Sequence, residues 1–217
     1  MIEPNIYCKV SGMTMRCIAQ LNAEGVRLPV VVEVGCADGQ GTMRYAGFCA
    51  KTVAVDAMLP GRPDITLLGD GRVCLSEHGH ESIFNLNEIA VDNQKIDIFR
   101  RRTQELNVDL VVGFSTNQRV VDEVRDSLIW GPKASPLADI VVIDGCHHPF
   151  EAVWEDVMIY HQFVRPGGFM ILDDLYEECI EQAYQKAIAE LGYEPFDRWR
   201  VATPQILQEA AAIRRLP

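Results

Sequence analysis

The residues best suited to chemistry stand at the ends of two short apolar runs. Ile140-Val141-Val142-Ile143 leads into Asp144, with Gly145, Cys146, His147 and His148 directly behind it, and Phe169-Met170-Ile171-Leu172 leads into Asp173-Asp174. Carboxylates brought together repel one another unless a cation neutralises them. Oxygen donors with open water positions suit Mg2+, or Mn2+ or Ca2+. A histidine close by, with an ordinary pKa near ~6.5, is suited to take a proton from a hydroxyl at neutral pH. Either His147 or His148 could do so. The plainer roles are a helix cap for Asp173-Asp174 and a loop position for the histidines.

A second group of residues is built to hold a ligand. Glu33-Val34-Gly35-Cys36-Ala37-Asp38-Gly39-Gln40-Gly41-Thr42 follows the apolar run Val30-Val31-Val32. Glycines there permit a tight turn and close approach of a ligand to the backbone. A following helix would present free N–H groups to an anion. The next apolar run, Val53-Ala54-Val55, ends on Asp56, whose carboxylate can accept hydrogen bonds from both hydroxyls of a ribose. After a third run, Leu110-Val111-Val112, come Gly113, Phe114 and Ser115. Ser115 offers a hydrogen-bonding group and Phe114 a surface for a ring.

These loops need a scaffold. The five apolar runs are β-branched and do not alternate, as strands buried on both faces should be. Between them the pattern predicts helices near 41–50, 91–106, 117–129, 149–163 and 177–191. Strand and helix in alternation mean βαβ units, a mostly parallel sheet and right-handed crossovers. In such a sheet ligands bind beyond the carboxyl ends of the strands, where every residue named so far is found. The stretch at about 59–90 interrupts the rhythm. Ile65 to Leu68, Gly69-Asp70-Gly71 and Arg72 to Leu75 read as a hairpin with a glycine turn, either a lid or plain decoration. Phe196 to Leu216 reads as two further strands around Thr203-Pro204.

Composition narrows the classes. At 217 residues the chain fits one domain, 1–217, with one core. No apolar run approaches the ~20 residues of a membrane span, and Met1 to Asn5 lacks the pattern of a secretory signal, so a cytoplasmic protein without a membrane partner is expected. The seven cysteines have no Cys-x-x-Cys spacing, which argues against a metal cluster or disulfide framework. The net charge of −11 opposes a phosphate backbone, so no nucleic-acid partner is expected; Arg100-Arg101-Arg102 reads as a solvated helix face. Glu77-His78-Gly79-His80-Glu81 has metal-ligand residue types but reads as polar surface of the insertion. A homo-oligomer is left open.

Glu33 chooses between nucleotide ligands. An acid at the end of the first strand would oppose a dinucleotide pyrophosphate, whereas a sulfonium ligand with an amino group tolerates it. Glu33-x-Gly35-x-x-x-Gly39 followed by Asp56 resembles the first two motifs of class I S-adenosylmethionine-dependent methyltransferases. The resemblance implies a cofactor site of Glu33, Gly35, Cys36, Ala37, Asp38, Gly39, Thr42, Asp56, Ser115 and Asp144. Gly35 and Gly39 would line the methionine part, Thr42 would lie near its carboxylate, Asp56 would hold the ribose and Ser115 would face the adenine. Ile143-Asp144-Gly145-x-His147, with Pro166-Gly167-Gly168 and Asp173-Asp174, is similar to metal-dependent small-molecule O-methyltransferases of the catechol, macrolide-sugar and cephalosporin-hydroxylase-type group. That resemblance covers roughly residues 30 to 216. It implies Asp144, Asp173 and Asp174 as metal ligands, His147 as base with Asp144 beside it, and a hydroxylated small molecule as acceptor. The implied fold is α/β: a Rossmann-like three-layer sandwich with a mostly parallel seven-stranded sheet, an antiparallel C-terminal strand and the inserted hairpin.

Other readings keep the fold. One is a metal-independent methyltransferase acting on another atom. A second is an NAD(P)-dependent reductase, since Gly35-x-x-x-Gly39-x-Gly41 matches the glycine spacing of short-chain dehydrogenases. Those enzymes need Tyr-x-x-x-Lys, and none of the six tyrosines has a lysine four residues on. A third is a non-catalytic binding module.

Overall fold

The computed structural model describes residues 9–59, 64–67, 72–77, 80–85, 91–202 and 207–217. Helix α1 (Lys9–Ala23) leads into β1 (Val30–Val34), a one-turn helix α2 (Thr42–Tyr45) with a 3-10 turn (Ala46–Phe48), and β2 (Lys51–Asp56). Three short strands follow: β3 (Asp64–Leu67), β4 (Arg72–Glu77) and β5 (His80–Asn85). The βα rhythm then resumes with α3 (Asn93–Thr103), β6 (Val108–Val112), α4 (Gln118–Ile129), β7 (Ala138–Ile143), α5 (Phe150–Tyr160) and β8 (Val164–Asp173). The chain closes with α6 (Glu178–Glu190), β9 (Tyr193–Ala202) and β10 (Leu207–Arg215).

Seven strands form one sheet in the order β6-β2-β1-β7-β8-β10-β9. β1 pairs in parallel with both β2 and β7, so the crossovers leave it in opposite directions. That reversal opens a crevice above the carboxyl ends of β1 and β7. Only β10 runs against the rest, pairing antiparallel with β8 and β9. This is the α/β sandwich expected from the sequence, antiparallel C-terminal strand included.

All five residues of β1 are buried, because helices cover both faces of the sheet. Side chains alternate between the faces. Val30, Val32 and Val34 join a core with Val120, Val124, Val153, Val157 and Ala183 from α4, α5 and α6. Val31 faces the other layer, where α1 packs Val10, Met13, Cys17, Ile18 and Leu21 against Ile140, Phe169 and Ile171. Those α1 positions recur at helical spacing and form its apolar stripe. The amino-terminal edge is held by Asp139, 3% exposed, which accepts from Val30 N at 2.7 Å, Lys133 Nζ at 2.6 Å and Arg165 Nε at 2.6 Å.

Four expectations need correction. Helix α1, which completes one layer, lies outside the helices expected from the sequence. The helix expected over 41–50 is one α-turn and one 3-10 turn, too short for a strong dipole at its start. The insertion holds the expected antiparallel pair, β3 with β4, and a third strand that was not expected, β5, on the other side of β4; Gly69-Asp70-Gly71, His78-Gly79 and Thr203-Pro204 lie outside the described residues. Arg102 is not simply a solvated residue: it clasps the loop after β1 through Asp38. Among the described residues no helix is long and apolar enough to cross a membrane.

Candidate functional site

The loop after β1 crosses the crevice at van der Waals limits. Gly35 has φ +87°, and a Cβ placed there would lie 1.9 Å from the Asp144 carbonyl oxygen and 2.7 Å from Gly145 N. Only glycine allows this loop to pass so close to the one after β7. Asp144 N donates to Val34 O at 2.9 Å, fastening the end of β1 to the end of β7, and Gly35 N donates to Val55 O of β2 at 2.8 Å. Gly39, φ +78°, is tight for a different reason: its Cβ would meet the Phe99 ring at 2.7 Å. Ala37 takes φ 48°, a left-handed conformation unusual outside glycine, and its N–H donates to Asp56 Oδ2 at 2.8 Å. Met58 N donates to Asp56 Oδ1 at 2.6 Å. Both carboxylate oxygens are thus oriented by backbone and keep further acceptor capacity.

Beneath this loop lies Glu33, 2% exposed. It follows Val31 on the α2 face of β1, so its carboxylate meets the first turn of α2. Thr42 donates its hydroxyl to Glu33 Oε2. Burial raises the Glu33 pKa, the Thr42 and Tyr45 hydroxyls oppose the rise, and the charge of Asp56 adds to it. The Thr42 hydroxyl is therefore engaged in orienting Glu33. Asp38 is engaged too, with Arg102 Nη1 2.5 Å from its Oδ1 and donating to its carbonyl at 3.0 Å. Cys36 is 5% exposed and packs with Ala54, Met58, Ile96 and Phe99.

Past β6 the chain turns at Gly113 and reaches Ser115. Ser115 Oγ donates to Asp156 Oδ1 at 2.5 Å, and Tyr160 Oη donates to Ser115 O at 3.0 Å. Asp156 is 1% exposed. Burial, partly opposed by the Ser115 hydrogen bond and reinforced by Glu155, pushes its carboxyl up to about 7. Sequence reasoning passed over Asp156 because, next to Glu155 on a helix, it looks like one more surface acid. The available signal was an acid at a core position, between Val153 and Val157.

The acids and histidines at the ends of β7 and β8 sort themselves by backbone direction. One donor atom each from Asp144, His147 and Asp174 lies within 4.8 Å of the others. His147 Nε2 is 3.2 Å from Asp174 Oδ2, yet this buried nitrogen has no hydrogen-bond partner. Asp174 reaches the group by leaving β8 in a left-handed turn, φ 54°. Asp173, still within β8 opposite Ala210 and 6% exposed, stays outside the group, since neighbouring residues on a strand point to opposite faces. His148 points elsewhere: its Nε2 is 3.2 Å from Glu177 Oε2 and its Nδ1 is 3.5 Å from Cys179 Sγ. Cys146 Sγ donates to His148 O at 2.9 Å, and burial pushes this thiol up to about 11.

The Asp144, His147 and Asp174 donor set fits a divalent cation, with two carboxylate oxygens and one buried, unsatisfied imidazole nitrogen. The loop after β1, with Asp56 beside it, fits a nucleoside-bearing ligand. The two are neighbours, joined where Gly35 meets the backbone of Asp144.

No protein-family model matches the chain, and no curated protein matches it. Solved structures do share its fold. The N-methyltransferase NodS from Bradyrhizobium japonicum, in complex with S-adenosyl-L-homocysteine, superposes with TM-score 0.58 at 12% identity, covering 97% of this chain and 89% of that one. The O-methyltransferase TomG from Streptomyces achromogenes, in complex with S-adenosylmethionine, gives TM-score 0.57 at 10% identity, covering 95% and 80%. An rRNA methylase from Streptococcus thermophilus gives TM-score 0.57 at 12% identity, covering 94% and 95%. Likeness at such identities is a likeness of fold.

Proposed function

We propose that residues 1–217 form one methyltransferase domain that binds S-adenosylmethionine and methylates a hydroxyl of a small molecule. The observation that carries the reading is the contact at Gly35. It ties the loop after β1 to the backbone of Asp144, so that this loop and the acid–histidine group are neighbours. The shared fold of NodS and TomG supports the same reading. A net charge of −11 favours a small acceptor over a nucleic acid.

The loop from Gly35 to Gly39 would hold the methionine part of the cofactor, Asp56 the ribose hydroxyls and Ser115 the base. Glu33 and Thr42 would support the loop from below, and Arg102 would anchor it through Asp38. S-adenosylmethionine, when bound, supplies a methyl group on a sulfonium, open to attack by a nucleophile. A divalent cation held by Asp144 and Asp174 would supply positive charge that favours the deprotonated hydroxyl. His147 would orient this group or take the acceptor's proton; His148, directed to Glu177 and Cys179, would do neither. Much of the rate would come from alignment of acceptor oxygen and methyl carbon.

The test is transfer of labelled methyl from S-adenosylmethionine to a panel of hydroxylated metabolites, with and without a chelator. Transfer to a hydroxyl that the chelator abolishes and Mg2+ or Mn2+ restores is the expected result. Transfer indifferent to the chelator would overturn the metal assignment, and transfer only to nitrogen would overturn the acceptor class.

A further inference from the structure

Ser115 is gripped twice by one face of α5. Asp156 and Tyr160 stand four residues apart, so their side chains project on the same side of the helix. Asp156 accepts a hydrogen bond from the Ser115 hydroxyl at 2.5 Å, and Tyr160 donates to the Ser115 carbonyl at 3.0 Å. Both α5 residues are buried, whereas Ser115 is half-buried at the carboxyl end of β6. Asp156 Oδ2 lies beside Gly145, 3.4 Å from where a Cβ of that glycine would sit. The grip therefore reaches the loop that carries the acid–histidine group.

A serine hydroxyl has one proton and two acceptor lone pairs, and an ionised carboxylate can only accept. With its proton committed to Asp156, Ser115 can meet a ligand only as an acceptor. We propose that Asp156 is a positioning residue that makes Ser115 an obligate acceptor, so that the base pocket selects a purine carrying an exocyclic amino group over one carrying a carbonyl oxygen there. The inference rests on the reading that an adenosyl cofactor occupies this crevice with its base toward Ser115. An amino group offers the proton that Ser115 lacks, while a carbonyl oxygen would face it acceptor to acceptor.

The test compares S-adenosylhomocysteine with S-inosylhomocysteine, which has a carbonyl oxygen in place of the 6-amino group and a proton on the neighbouring ring nitrogen, by calorimetric titration at about pH 8.5, where Asp156 is ionised. The wild-type protein should bind the adenosyl compound about 10- to 100-fold more tightly. Asp156→Asn, whose amide can donate to Ser115 and release its proton, should bring the ratio to within about threefold. Ser115→Ala should do the same, and adding Asp156→Asn to it should change the ratio no further. A merely structural role would weaken both compounds equally. An unchanged ratio in either single variant, with the adenosyl compound still bound, would overturn the proposal. If Asp156→Asn fails to fold, the wild-type ratio at about pH 5.5 and about pH 8.5 decides it: the ratio should fall where Asp156 keeps its proton, and an equal ratio at both would overturn the proposal. Wild-type protein that binds neither compound would instead strike the cofactor reading itself, and the proposal with it.

Discussion

Asp156→Asn should reverse part of the pH dependence of folding. The carboxyl is 1% exposed, and burial pushes it up to about 7. In the unfolded chain an aspartate titrates near ~3.9. Between these values the folded chain keeps a proton that the unfolded chain has released, so stability falls as pH rises. Each pH step within that window removes up to about 1.4 kcal/mol, and the whole window about 4 kcal/mol. Asparagine has a similar shape and no such proton. The assay is urea unfolding of both proteins, followed by circular dichroism, at several values from about pH 5 to about pH 7.5. Relative to wild type, the variant should gain about 2–3 kcal/mol across that range. A difference between the two proteins that does not vary with pH would refute the reasoning, because it would mean that Asp156 titrates as an exposed aspartate does.

Other perturbations should separate scaffold from site. Gly35→Ala drives a methyl group into the Asp144 carbonyl, 1.9 Å away at the built position; it should abolish cofactor binding in titration calorimetry and lower the thermal midpoint. Asp139→Ala leaves Lys133 and Arg165 without their buried partner and should destabilise the fold by about 3–5 kcal/mol in urea, with no residue of the crevice touched. The bonds from Lys133, Val30 and Arg165 outweigh the burial that would raise the Asp139 pKa and hold it low, so its contribution should persist at neutral pH and be lost only as acid protonates it. His147→Ala should lower turnover while leaving cofactor affinity within about twofold, and His148→Ala should leave both nearly intact. Equal losses in the two histidine variants would remove the distinction drawn here.

The central sheet was legible because its strands are buried on both faces: runs such as Val30 to Val32 and Ile140 to Ile143 announce themselves. Helix α1 was not, since Ser11, Gly12 and Thr14 are interspersed in its first turns and dilute the apolar stripe from Val10 to Leu21. β5 was missed because His80, Glu81 and Ser82 are polar and poor in strand signal. Among the candidate residues, those that end strands could be placed by position alone, which is why Asp56, Asp144 and the loop from Gly35 could be set at the carboxyl end of the sheet. Which neighbour of a pair turns inward could not. Asp173 and Asp174 look equivalent in sequence, and the left-handed turn at Asp174 decides that it joins Asp144 and His147. Likewise Arg102 and Asp38 are 64 residues apart, and no local pattern pairs them. Asp156 was hidden by its setting, because beside Glu155 it reads as part of a polar helix face until its burial and its partner Ser115 are seen.

The most direct measurement of the account is calorimetric titration of S-adenosylmethionine into the folded protein, freed of any bound cofactor, with wild type beside Asp56→Ala. Saturable one-to-one binding that the substitution weakens by tenfold or more (about 1.4 kcal/mol) is the result the account predicts. No binding to wild-type protein, or binding that Asp56→Ala leaves unchanged, would contradict it.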